Sequence, residues 1–265
     1  MRALQSVKIP REHGAWAMLY VPFALGALVA GRPSAALLWL LLGVTALFFA
    51  RETLIRRGRA RRHGRADSRL RRVLAVQAGA ITVAGVALLV GWRLYGLVPV
   101  ALAAGLLLAA NLEQAAERQE RGLGTELLAV LGLALAAPSA HYAALGAWHL
   151  QAVWLWSLSC LYFASSVFHV KCRVLAVQPP RRSEYRRMRG LSVVYHLGLL
   201  LLLSVLVRMR LLHPLGLAAF LPVLARTSWS LVRPPARPQL GRTGVLEILY
   251  SLVFLVFAWL ALRER

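Results

Sequence analysis

Residues 47–72, LFFARETLIRRGRARRHGRADSRLRR, decide the fold of this chain. The stretch begins apolar and then places ten arginines in its remaining part, between residues 51 and 72. A run this basic cannot lie in hydrocarbon, because charged side chains inside a bilayer are costly and rare. Apolar segments flank the run on both sides. The stretch therefore predicts the face of a membrane, and the topology of the chain follows from it.

Composition supports a membrane protein. The chain has 265 residues, is 59% hydrophobic and carries a formal net charge of +22, with a mean hydropathy of +0.61. In a soluble protein this charge would suggest a nucleic-acid partner. Apolar runs recur along the whole chain, however, and about 20 apolar residues suffice to cross the hydrocarbon core. We therefore predict one integral membrane domain over residues 1–265 and no nucleic-acid binding. The two cysteines, Cys160 and Cys172, indicate neither a disulfide framework nor a metal site.

We predict an all-α fold with nine transmembrane helices, because backbone groups in lipid must be satisfied within their own segment. The first apolar run is long for a signal peptide and lacks a clean cleavage pattern, so we interpret it as a retained helix. Pro214 and Pro222 interrupt the eighth span, and counts of eight or ten stay open. The predicted spans are 14–31, 35–50, 73–92, 95–112, 124–140, 151–168, 191–207, 212–226 and 245–262.

The distribution of Lys and Arg predicts the orientation. With the N-terminus in the cytoplasm, 26 of the 32 basic residues lie in cytoplasmic segments. The outer side holds Arg32, Arg93, Arg208, Arg210, Arg263 and Arg265. We expect a multi-pass protein of the inner (plasma) membrane, whose partners are membrane lipids with anionic headgroups and whose work is done on the cytoplasmic side.

A faint internal repeat links two helix ends. LFFARETLIRRGR, from Leu47, aligns with LYFASSVFHVKCR, from Leu161, at an offset of 114 residues. The alignment pairs Arg57 with Lys171 and Arg59 with Arg173. Chance matches of apolar residues are common in membrane helices, so duplication and coincidence both stay open. If the repeat is real, a binding site between the two halves is expected.

The basic residues at these two helix ends are candidates for binding an anion. Arg51, Arg57 and Arg59 follow the second span, and Lys171 and Arg173 follow the sixth. Arginine binds phosphate and carboxylate groups through paired hydrogen bonds. The alternative is charge that fixes topology, with side chains extending to the lipid surface.

Several other ionisable residues lie close to predicted span ends. Glu12 and His13 open the first helix, in PREHGAW, and could bind a ligand or simply start a helix at the interface. Glu117 and Arg121 share one face after the fourth span, which also suits a solvated helical extension. Glu126 begins the fifth span, where an ionisable residue usually has a partner.

Two further positions stand out because of their isolation. Glu247 is the only acidic residue between Glu184 and Glu264, in a very basic half of the chain, so we expect a salt bridge with a loop arginine or a functional role. His196 lies within the seventh span, where we favour a hydrogen-bonded packing residue over a catalytic one. Signatures of a phosphate-binding loop, a serine hydrolase or a zinc protease are absent from the sequence.

The entry IPREHGAWAMLYVPFALG, residues 9–26, resembles the opening of the YwiC-like family of bacterial membrane proteins. Two more strings carry the same resemblance, residues 117–146 (ERQERGLGTELLAVLGLALAAPSAHYAALG) and residues 244–254 (GVLEILYSLVF). The resemblance implies an integral membrane protein and brings no particular reaction with it.

The predicted architecture is also similar to that of UbiA-type intramembrane prenyltransferases. That resemblance implies nine helices and an active site at cytoplasmic loops 2–3 and 6–7, where aspartate-rich motifs hold Mg²⁺ and an isoprenoid diphosphate. This chain departs from the pattern, with Arg51-Glu52-Thr53 at the first motif and Ser165-Ser166 at the second. No catalytic residue carries over.

Arginine in place of aspartate repels Mg²⁺ and attracts an anion directly. We therefore hypothesise that the chain binds an anionic or lipid-linked ligand at a basic cytoplasmic mouth, or has an accessory membrane role, without a metal or cofactor. A divergent UbiA-like transferase is the first alternative, with His13, Glu52 and His169 as candidate catalytic residues. A transporter is the second, although most of the predicted spans contain no ionisable residue.

Overall fold

The computed structural model describes residues 13–62, 68–116, 122–178, 181–233 and 240–263. Every regular element in those ranges is helical, so the all-α prediction is confirmed. Within the described ranges, eight helical segments are long and apolar enough to cross a membrane. The apolar part of α1, residues 16–30, is shorter than these eight. The α-helices of the described ranges are α1 (His13–Ala30), α2 (Ala35–Arg62), α3 (Ser68–Val86), α4 (Leu97–Ala116), α5 (Leu123–Ala134), α6 (Ala136–Leu145), α7 (Gln151–Ala176), α8 (Arg182–Arg208), α9 (Pro214–Ala218), α10 (Leu221–Val232) and α11 (Leu240–Arg263).

The basic segments continue the helices further than the apolar runs alone predict. The second span was predicted to end at residue 50, but α2 continues to Arg62. The sixth was predicted to end at residue 168, and α7 continues to Ala176. Both extensions lack proline and are rich in residues with good helix propensity. The first arginines of the basic stretch are therefore helical, and not part of a loop.

The chain divides into two compact units, Pro22–Cys160 and Met1–Val21 with Leu161–Arg265. We call them the first and the second unit. In the first unit, α2 packs against α3, α4 and α6, and α4 packs against α5. In the second unit, α9 packs against α8, α10 and α11. The prediction of one membrane domain over the whole chain stays a prediction.

A break at Leu135 divides the fifth span into α5 and α6, which the sequence-based prediction did not include. Pro138 has no N–H and cannot close the helical bond to Ala134. The Leu135 amide donates to the carbonyl of Gly132 at 3.3 Å, and not to the carbonyl of Leu131 as in a continuous α-helix. The carbonyl of Leu131 is therefore released from the helical pattern. The indole N–H of Trp156 donates to that carbonyl at 3.2 Å, as a bilayer requires of a released backbone acceptor.

The interruption of the eighth span by prolines is confirmed. Pro214 occupies the first turn of α9, whose N-cap is His213. Pro222 occupies the first turn of α10. Proline suits both positions, because the amides of a first helical turn have no partner within the helix. The span is thus a pair of short helices, and α10 carries the residues that matter below.

Candidate functional site

Arg51 is held by a polar network at the end of α2, in the first unit. Its Nε donates to Oδ1 of Asn111 at 2.8 Å, and the Asn111 amide donates to the carbonyl of Thr125 at 2.8 Å. Asn111 and Thr125 are each 2% exposed. The network joins α2, α4 and α5, so Arg51 has a structural task whether or not it meets a ligand.

The other predicted basic residues are more open. On α2, Arg57 is half-buried and Arg59 is exposed; on α7, Lys171 and Arg173 are half-buried. The first two belong to the first unit and the last two to the second. Each pair therefore forms part of the charged end of its own helix.

Glu52, a predicted catalytic candidate, forms an ordinary helical ion pair. Arg56 Nε donates to its carboxylate at 2.9 Å, one turn further along α2. Both side chains are about one third exposed, at 29% for Arg56 and 33% for Glu52. Exposed pairs of this kind contribute little to stability, and the geometry offers no distinct catalytic environment.

Five candidate residues remain to be placed. Glu12, Glu117 and Arg121 lie outside the described residues, and His13 is the first residue of α1. Glu126 lies in the first turn of α5, where the helix dipole favours a carboxylate. Across the described ranges, no three His, Cys, Asp or Glu side chains cluster closely enough to hold a metal ion.

The second unit contains a buried polar cluster that was not predicted from the sequence. Apart from Arg226, its members are at most 8% exposed as whole residues. The Arg226 side chain is also 8% exposed. We define the buried polar cluster as Tyr162, Ser165, Ser166 and His169 on α7, Ser192 and His196 on α8, Arg226 and Thr227 on α10, and Glu247 and Ser251 on α11.

Helical spacing explains how α7 contributes its part of the cluster. Residues 162, 165, 166 and 169 recur at i, i+3, i+4 and i+7, so they share one face of the helix. The ring of Tyr162 stacks on Phe254 of α11 at 4.1 Å between centroids. This aromatic contact orients the polar face of α7 towards α11.

His196 makes one hydrogen bond within α8 and one that joins α8 to α7. Its Nδ1 lies 2.7 Å from the Ser192 carbonyl, and its Nε2 lies 2.8 Å from Ser165 Oγ. A carbonyl only accepts, so Nδ1 carries the proton, and in the neutral ring Nε2 accepts from the Ser165 hydroxyl. His196 is buried and hydrogen-bonded, as expected; its packing role stays a prediction.

Arg226 and Glu247 form the charged centre of the cluster. Nη1 of Arg226 donates to Oε1 of Glu247, and both side chains are 8% exposed. The guanidinium carbon lies 5.3 Å from the ring centre of Tyr250. Arg226 also acts electrostatically on Tyr162, His169 and His196. Glu247 thus has a salt bridge, as predicted, but its partner lies within α10 and not in a loop.

Six buried polar atoms of this cluster have no hydrogen-bond partner among the described residues. Folded proteins satisfy about nine in ten buried polar groups, so a local group of exceptions requires an explanation. The Tyr162 hydroxyl lies near Ser251 but makes no bond of acceptable geometry. The six atoms are Arg226 Nε, Arg226 Nη2, Glu247 Oε2, Thr227 Oγ1, Tyr162 Oη and Ser166 Oγ.

Comparison with known proteins finds a family match for the amino-terminal part of the chain. The family model described as YwiC-like protein matches residues 9–141, just over half of the chain. The chain belongs to the YwiC-like family. No curated protein and no solved structure matches it. The similarity to UbiA-type enzymes therefore stays a prediction.

The family match bears on the two units unequally. It ends at His141 in α6, so the string at residues 244–254 that also suggested the family lies outside it. The buried polar cluster, on α7, α8, α10 and α11, lies wholly beyond the matched part. The function of the cluster must therefore be argued from its own geometry.

The hydrogen bond from Ser165 to His196 gives a testable stability difference between two neighbouring serines. We expect Ser165→Ala to lower the free energy of unfolding by about 0.6 to 1.7 kcal/mol, the range found for side-chain hydrogen bonds between membrane helices. Ser166→Ala is the matched control. Ser166 is also buried, but its hydroxyl has no partner among the described residues, so its removal should cost nothing in unliganded protein. Thermal unfolding in detergent measures both, and equal losses would contradict the assignment of the bond.

Proposed function

We propose that this membrane protein binds an anionic ligand at the buried polar cluster of its second unit. The ligand class is a phosphate or carboxylate group, either free or carried by a lipid. One observation carries the proposal: Arg226 is buried, yet its Nε and Nη2 atoms lack a partner among the described residues. Leaving charged donors unpaired away from water costs several kcal/mol. An anion that accepts from both atoms removes this penalty.

The geometry of arginine supports an oxoanion as the ligand. Nε and Nη2 are the two donors of one edge of the guanidinium, and that edge matches the two oxygens of a carboxylate or phosphate. The remaining edge is engaged by Glu247 through Nη1. Tyr250 lies against the guanidinium and limits its reorientation. The free edge is thus held ready for an oxoanion.

Basic residues on α7 support the same proposal. Lys171 and Arg173 follow His169 within about one helical turn, and Arg173 acts electrostatically on His169. With the predicted orientation, these residues lie at the cytoplasmic side and attract anions towards the cluster. Arg57 and Arg59 give the end of α2 a similar charge. We assign attraction of the ligand to Lys171 and Arg173, which share a unit with the cluster, and we assign its binding to Arg226.

Arg226→Lys tests the proposal with little disturbance to the fold. Lysine keeps the positive charge beside Glu247 but removes the planar edge formed by Nε and Nη2. We expect the variant to retain anionic lipid, or bound phosphate, about tenfold less well, the effect of losing one charge-assisted hydrogen bond. Native mass spectrometry of purified protein measures the retained ligand.

Arg233→Lys is the matched control. Arg233 is exposed at the end of α10, and its guanidinium carbon lies 4.5 Å from the ring centre of Trp229. Its replacement should leave ligand retention unchanged. Equal retention by wild type and Arg226→Lys would contradict the proposal, because the free guanidinium edge would then bind no ligand.

A further inference from the structure

Glu247 has an unpaired acceptor atom that a ligand without a hydrogen-bond donor cannot satisfy. Its Oε1 accepts from Arg226, whereas its Oε2 is buried without a donor among the described residues. An ionised carboxylate oxygen only accepts hydrogen bonds. A phosphodiester or a carboxylate brought against it has no proton to donate and adds repulsion. The ligand must therefore bring a donor as well as an acceptor.

The unpaired donors and the unpaired acceptor belong to one ion pair. Arg226 supplies Nε and Nη2, and Glu247 supplies Oε2. Their charges cancel, so the oxoanion that Arg226 binds can be one end of a group whose other end is a donor or a cation. A group with oxoanion oxygens at one end and an N–H or O–H close by satisfies all three atoms together. The hydroxyls of Thr227, Ser166 and Tyr162 can each donate or accept and do not restrict this choice.

We propose that the cluster recognises a phosphate-type group bearing a neighbouring hydrogen-bond donor, with Arg226 binding the oxoanion and Glu247 binding the donor. This inference rests on the proposed function and names its ligand class. An ethanolamine phospholipid presents such a group in a membrane, and free phosphoethanolamine presents it in water. The choline counterparts have the same phosphate and the same charges, but their quaternary nitrogen has no N–H to donate.

The test compares ethanolamine and choline ligands that are otherwise identical. Purified protein is exchanged into nanodiscs that contain equal amounts of phosphatidylethanolamine and phosphatidylcholine with the same acyl chains, and the lipids retained after ejection are counted by native mass spectrometry. Parallel samples receive soluble phosphoethanolamine or phosphocholine as competitor. We expect wild type to retain the ethanolamine lipid about tenfold better than the choline lipid, as one charge-assisted hydrogen bond predicts.

Two variants test whether Glu247 causes the preference for the ethanolamine lipid. Glu247→Gln keeps a side chain of the same shape but loses the charge that favours an ammonium donor, so the preference should fall towards equality. Glu52→Gln is the control, because Glu52 belongs to an exposed pair in the first unit, and it should leave the preference unchanged. Displacement by phosphoethanolamine but not phosphocholine would support a free ligand as the source. Retention of the ethanolamine lipid in the presence of both soluble competitors would support a lipid source.

The outcomes separate this inference from the function on which it rests. Equal retention of the two lipids by wild type, with both reduced in Arg226→Lys, would overturn the donor requirement and leave anion binding in place. Retention that does not depend on Arg226 would overturn both. The comparison within wild type needs no variant, so it decides the question even if Glu247→Gln does not fold.

Discussion

Gly26→Ala is expected to destabilise the first unit by about 3 kcal/mol, at the upper end of the usual cost of overpacking. A Cβ at Gly26 would lie 2.0 Å from the carbonyl oxygen of Ala137 and 2.8 Å from its carbonyl carbon. These are backbone atoms of α6, so no side-chain rotation relieves the clash. The helices α1 and α6 must separate or bend instead.

Gly105→Ala is the control for Gly26→Ala. Gly105 lies within α4, and a Cβ there would meet nothing within 4 Å. Alanine favours a helix over glycine by about 1 kcal/mol, so this variant should be neutral or slightly stabilising. Thermal unfolding in detergent gives both values. Similar midpoints for the two variants would contradict the close approach of α1 and α6.

The second large effect concerns the charge pair of the second unit. We expect Glu247→Ala to lower the free energy of unfolding by about 3 to 5 kcal/mol, because it leaves the buried guanidinium of Arg226 without its counter-charge. The double variant Arg226→Met/Glu247→Met removes both charges and should recover most of the loss. Chemical or thermal unfolding in detergent of wild type, Arg226→Met, Glu247→Met and the double variant closes a double-mutant cycle and measures the coupling.

Glu52→Ala is the control for Glu247→Ala. Its partner Arg56 is 29% exposed, and exposed helical pairs are worth about 0.3 to 0.5 kcal/mol. A loss at Glu247 as small as that at Glu52 would mean that the pair is solvated, and additive losses in the double variant would mean that the two side chains do not interact.

Hydrophobicity was sufficient to predict the helices. Each predicted span coincides with a helical segment, because in a bilayer an apolar run must close its own backbone hydrogen bonds. The prolines of the eighth span also predicted its interruption. The break at Leu135 was missed because Pro138 lies inside an apolar run, and the compensating donor, Trp156, is 25 residues away from the carbonyl it satisfies.

The candidate site was harder to predict, because it depends on pairing between distant residues. In the sequence, Arg226 is one of the 26 basic residues that the predicted topology places in cytoplasmic segments, and Glu247 is an isolated acid. Their 21-residue separation along the chain left nothing to connect them. A usable signal was present on α7, where Tyr162, Ser165, Ser166 and His169 line one face of an apolar helix. Polar residues at helical spacing within a span indicate a buried polar interface.

The most direct test of the central claim is a cryo-EM map of the protein in nanodiscs that contain ethanolamine phospholipid, at a resolution that shows side chains. We predict density for an oxoanion within hydrogen-bond distance of both Nε and Nη2 of Arg226, with a donor group beside Oε2 of Glu247. A map in which protein groups alone satisfy these three atoms would contradict the account.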